Sequence, residues 1–85
     1  MESYKIESYK WYKASEILPE ETELPKDRNG VKGFFAVSLK NGDLWCVTRW
    51  LEGSHWYWDA DDDFYNNMIE RDGITHWMKL EKPQP

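Results

Sequence analysis

The sequence predicts a mainly β fold, with α+β as the alternative: a small antiparallel sheet or open barrel of four to five short strands, with one short helix near residues 64–71. Three observations predict it. Asn41-Gly42 stands between two runs rich in β-branched and aromatic residues, the strongest short-range hairpin signal. Two further runs of that composition, His55-Trp56-Tyr57-Trp58 and Ile74-Thr75-His76-Trp77-Met78, each follow a glycine-bearing turn. Finally, 85 residues that are 40% apolar and include six Trp suffice for one hydrophobic core and not for two. Residues 11–82 are therefore read as a single small β-rich domain, residues 1–10 as an N-terminal arm and residues 83–85 as an extended tail.

The arm contains a tandem echo, Glu2-Ser3-Tyr4-Lys5 and Glu7-Ser8-Tyr9-Lys10, too short for a solenoid repeat and readable as a frayed arm or an added edge strand. After Trp11, Pro19 forces Leu18 out of the helical region, so at most one helical turn precedes it. Residues 20–33 carry Pro25, Gly30 and Gly33 among charges, which is the composition of a long loop.

The hairpin then runs through residues 34–51. With a two-residue turn, Lys40 pairs with Asp43, Leu39 with Leu44 and Val37 with Cys46. That register gathers Phe35, Val37, Leu39, Leu44, Cys46, Thr48 and Trp50 on a core face and puts Phe34, Ala36, Trp45, Val47 and Arg49 on the other. Glu52-Gly53-Ser54 makes a second turn, whose length leaves the register of the 55–58 strand open, and a three-strand meander results. Phe64 to Arg71 has apolar pairs four apart, enough for one or two helical turns, and Asp72-Gly73 ends them. Residues 74–78 return to strand composition, and Lys82-Pro83-Gln84-Pro85 is extended.

Eleven Lys and Arg against sixteen Asp and Glu leave a net charge of −5, the wrong sign for a protein that gains affinity by neutralising phosphates. Direct nucleic-acid binding is disfavoured. A single cysteine, Cys46, permits no intramolecular disulfide, which fits an intracellular compartment. Met1 to Lys5 lacks the apolar run of a signal peptide, and nowhere do about 18 apolar residues run together, so neither export by that route nor membrane insertion is expected.

The constellation with most chemical content is Asp59-Ala60-Asp61-Asp62-Asp63. Counted from Asp59, oxygen ligands fall at calcium-loop positions 1, 3, 5, 9 and 12 as Asp59, Asp61, Asp63, Asn67 and Glu70. Position six needs glycine and is Phe64, so a solvated acidic loop is the default and no metal or other cofactor is assigned. Cys46 on the core face behaves as a small hydrophobe, and His55 and His76 have no Cys or second His three or four residues away. Phosphate loops, nucleophile elbows and zinc-protease helices are all missing from the sequence, so no catalytic residue and no enzymatic activity is expected.

Four of the six Trp lie within residues 45–58, more aromatic area than one face of a small sheet buries. Either the second face stays open for binding or the segment around Trp11 and Tyr12 covers it. An open face points to Trp45, Arg49, Trp56 and Trp58, with Asp61, Asp62 and Asp63 beside them, as partner-binding residues. They suit a protein, a second copy of the chain, or a small nucleotide stacked on a ring with Arg49 or Lys40 at its phosphate.

Trp11, Leu18-Pro19-Glu20, the Asn41-Gly42 hairpin and Thr75-His76-Trp77-Met78 with Leu80 and Pro83 resemble the small phage and prophage proteins of domain of unknown function 551. The resemblance spans roughly residues 11–83, with Lys79 and Glu81 where that family commonly has proline and a longer loop from Glu21 to Gly33. It implies a phage-encoded accessory protein in the cytoplasm of a bacterial host, with no activity attached. The expectation is a non-catalytic binding protein that antagonises a host defence component by binding a protein or sequestering a nucleotide signal. The alternative is a calcium-binding or purely structural domain built on the 59–70 loop.

Overall fold

In the computed structural model, which describes residues 5–82, the longest strand starts earlier than its apolar run predicts: β3 spans Gly30–Leu39. Around it lie β1 (Tyr12–Lys13), a 3-10 turn at Pro19–Glu21, β2 (Lys26–Asp27), β4 (Leu44–Glu52), β5 (His55–Asp59), α1 (Asp63–Asp72) and β6 (Ile74–Lys79). Six strands form one open antiparallel sheet, ordered β1-β6-β3-β4-β5, with β2 paired beside the start of β3. The predicted tail, residues 83–85, and the first four residues of the predicted arm lie outside the described residues. No helix among the described residues is long and apolar enough to cross a membrane.

The expected loop at 20–33 is largely structured. Leu18 N–H donates to the Glu21 carboxylate at 2.7 Å, and the Thr22 hydroxyl donates to the Pro19 carbonyl at 2.7 Å, closing the turn behind Pro19. Asp27 then accepts from the N–H groups of Asn29 and Gly30 at 2.7 and 3.1 Å, so a tight hairpin feeds β3. Short-range carboxylate-to-backbone bonds of this kind are what a polar, glycine-bearing segment offers in place of apolar periodicity.

The β3–β4 register differs from the two-residue reading by one position. Val37 pairs with Trp45, Ala36 with Cys46 and Ser38 with Leu44. The connection is a three-residue loop, Lys40-Asn41-Gly42: Gly42 N–H donates to the Leu39 carbonyl, Leu39 N–H donates to the Asp43 carbonyl, and Gly42 takes φ +97°. A type I turn followed by a glycine in the left-handed region is the other geometry Asn-Gly supports. One residue of slip reverses every side chain of β4. Trp45, Val47 and Arg49 turn inward, while Leu44, Cys46, Thr48 and Trp50 turn outward, the reverse of their predicted faces. Cys46 is exposed and not a core thiol.

Phe35, Val37, Leu39, Val47 and Trp77 form the buried inner face, closed by Ile17, Val31 and Ile69. Burying each such side chain contributes about 1.5–3 kcal/mol. Ring contacts bind the aromatic centre: Phe35 meets Trp77 and Trp58 edge-on at 5.6 and 5.9 Å, and Tyr12 lies 5.3 Å from Trp77. The Trp77 indole N–H donates to the Ile17 carbonyl at 2.8 Å, so the one polar atom of the deepest side chain is satisfied. Tyr12 thus goes to the inner side. Trp11 stays 41% exposed beside Leu44, Ser38 and His76, and among the described residues Leu44, Phe34 and Trp50 of the outer face are exposed. Tyr9 meets the end of β6, its N–H donating to the Lys79 carbonyl and its hydroxyl to the Glu81 carbonyl just beyond.

Candidate functional site

β5 follows β4 through Gly53-Ser54, with Glu52 paired to His55 and Arg49 to Trp58. Period-two alternation sends Trp56 and Trp58 inward beside Arg49 and stacks His55 on Tyr57 toward the other side, ring centroids 6.1 Å apart. Between β5 and α1 lies a cleft of about 540 Å³. Its walls include Arg49, Trp56, Trp58, Asn66, Ile69 and Glu70. Of the predicted site residues, the structure gathers Arg49, Trp56 and Trp58 here.

Arg49 has a different role from the one its predicted outward position implied. Its side chain is 6% exposed, and it forms a fork with the Glu20 carboxylate, both hydrogen bonds 2.9 Å long. Its guanidinium carbon lies 4.6 Å from the Trp58 ring centroid and 6.0 Å from that of Trp56. A guanidinium closed by a carboxylate and two rings is spoken for electrostatically, so it offers little to a phosphate. Glu20 went unassigned because nothing in a sequence links residues twenty-nine positions apart.

Trp45 is separate from this group. Half-buried, it packs on the core beneath α1, with its ring 5.0 Å from Tyr65 edge-on. The open outer face instead carries Leu44, 64% exposed, Phe34, 50%, and Trp50, 40%.

The acidic residues build a turn. Asp59 accepts from Asp61 N–H at 2.9 Å and from the Asn66 amide at 3.2 Å, while the Asn66 side-chain oxygen accepts from Ala60 N–H at 2.8 Å. Asp62 caps α1 by accepting from Phe64 N–H at 2.9 Å. Asp63, Asn67 and Glu70 are already helical, so the 59–70 stretch is not the continuous loop that calcium ligation would need. Asp59 and Asp61 border a hollow beside Phe34 and Cys46, whereas Glu70 borders the cleft at β5. Among the described residues no group of three or more His, Cys, Asp or Glu is placed to hold a metal ion.

Two carboxylates, Glu52 and Glu70, line the cleft, and its one guanidinium, Arg49, is paired with Glu20. The phenol of Tyr57 is raised above its ordinary value, first by desolvation and then by the carboxylates of Glu52 and Asp59. The arrangement can hold an aromatic, aliphatic or cationic side chain. Compared with protein-family models, curated proteins and solved structures, the chain matches none.

Proposed function

We propose that the chain is a non-catalytic protein-binding module, a phage or prophage accessory protein that acts in the bacterial cytoplasm against a host defence component. The observation that carries the binding role is the Trp56–Trp58 cleft bordered by the carboxylates of Glu52 and Glu70, with the Arg49 guanidinium neutralised by Glu20. Such a surface is complementary to a basic protein surface, which electrostatic attraction would steer toward it. The Glu20 pairing of Arg49 argues against the nucleotide version, and Lys40 lies in the hairpin loop away from the cleft lining. The phage setting is supported by the resemblance of Trp11, Leu18-Pro19-Glu20 and Thr75-His76-Trp77-Met78. Within it, Ile17 and Trp77 join the two motif segments as scaffold, so the resemblance bears on setting more than on the site.

Affinity capture from a bacterial lysate, followed by mass spectrometry, tests this reading. A partner held by the native chain and lost in the double variant Glu52→Lys/Glu70→Lys, with the fold intact by circular dichroism, is expected. A captured partner indifferent to both reversals, or a nucleotide co-purifying in stoichiometric amount, overturns it. A second reading, association of two copies through the outer face, is favoured by the exposure of Leu44, Phe34 and Trp50.

A further inference from the structure

Resting on the protein-binding reading, we propose that β5 accepts an extended, Lys- or Arg-bearing segment of the partner as an added strand along its free edge. β5 ends the order β1-β6-β3-β4-β5, so among the described residues only β4 pairs with it. Glu52 and His55 flank a two-residue turn. In a hairpin closed that way the flanking pair exchanges hydrogen bonds, and antiparallel alternation then directs Tyr57 and Asp59 toward β4. The N–H and C=O groups of Trp56 and Trp58 therefore point outward. No turn, loop or side-chain hydrogen bond among the described residues reaches the main chain of either tryptophan.

Proteins blunt such edges with lysine, proline, a bulge or brevity. β5 contains neither Lys nor Pro, and its pairing with β4 runs without a shift from Glu52–His55 to Thr48–Asp59. The opposite edge, β1, is only two residues long. An added strand would satisfy the outward groups, and every second side chain of it would face the cleft beside Trp56, Trp58 and Glu70. Charge selects the occupant. Glu52 and Glu70 line the cleft with no basic side chain to neutralise them, Arg49 being held by Glu20, and this favours a basic segment. Two copies joined edge to edge would set these carboxylates against their own counterparts.

The test uses a fluorescein-labelled hexapeptide of alternating lysine and valine against the full chain, read by anisotropy and by amide hydrogen exchange. Saturable binding with slowed exchange at the Trp56 and Trp58 amides is expected. Affinity should fall at least about tenfold when glutamate replaces lysine, and again when the peptide's backbone nitrogens are methylated. The Glu52→Lys/Glu70→Lys variant should instead prefer the glutamate peptide. No saturable binding up to about 1 mM, or protection confined to other strands, overturns strand addition. So do Trp56 and Trp58 amides already protected in a dimer without peptide. If the peptides fail while a lysate partner is still captured and lost on charge reversal, strand addition falls and the binding role survives. If both fail, the binding role falls too.

Discussion

Arg49 and Glu20 meet in a two-pronged ion pair inside the fold, both N–H···O distances 2.9 Å, with side chains only 6% and 13% exposed. Removing one partner from such a pair leaves a charge with neither water nor counter-ion, which typically costs 3–5 kcal/mol. Glu20→Ala should accordingly destabilise the protein by about 3 kcal/mol and lower its melting temperature by more than about 10 °C. The double variant Glu20→Gln/Arg49→Met, which removes both charges and keeps apolar volume against Trp58, should cost clearly less. Urea denaturation of the single and double variants checks the order. Equal losses would mean that the stranded Arg49 charge is not what destabilises Glu20→Ala.

Gly30 and Gly42 both have positive φ, at +150° and +97°, yet should respond differently to substitution. A Cβ on Gly30 would lie 2.2 Å from the Arg49 carbonyl oxygen, whereas one on Gly42 meets nothing within 4 Å. Gly42→Val should cost about 1 kcal/mol from backbone strain alone. Gly30→Ala should cost about 3 kcal/mol or more, because strain and collision with the β4 backbone add. Thermal melts of the two variants decide it.

Trp45→Ala should destabilise by about 3 kcal/mol, since the ring packs on Tyr65 and the core. Trp50→Ala, at a position 40% exposed on the outer face, should change stability by less than about 1 kcal/mol. Light scattering of the same variants addresses association of two copies. A dimer that Trp50→Ala dissociates without unfolding would favour the outer-face reading.

Asp62→Ala should cost about 1 kcal/mol by uncapping α1. Millimolar calcium should leave the melting temperature of the native chain unchanged, because Asp59 and Asp62 spend their oxygens on backbone and Asn66 donors. A rise of several degrees that Asp61→Ala abolishes would restore calcium ligation.

Much of the fold was legible where local chemistry decides it. The inner positions of β3, the helix around residues 64–71 and the strand around Trp77 follow from alternation, apolar pairs four apart and turn residues. The faces of β4 were not legible. Asn41-Gly42 satisfies two loop lengths, and both faces of β4 carry apolar residues, so the pattern has no preferred side. The inward arginine tips the balance only through Glu20, a contact made after the chain has folded back. Trp56 and Trp58 were picked out by composition, but the cleft needed α1 laid beside them, and no local signal places a helix over a strand.

The seating of β6 between β3 and β1 bears on the order in which the chain folds. β3, β4 and β5 join through short turns and can zip by local closure, on the microsecond scale typical of hairpins. β6 must return across α1 to align Val37 with Trp77, a closure whose entropic cost is met before its contacts form. The β3–β4 hairpin is then the nucleus and docking of β6 the late step. Truncations of Val37 and Val47 should slow refolding, while Trp77→Phe should chiefly speed unfolding.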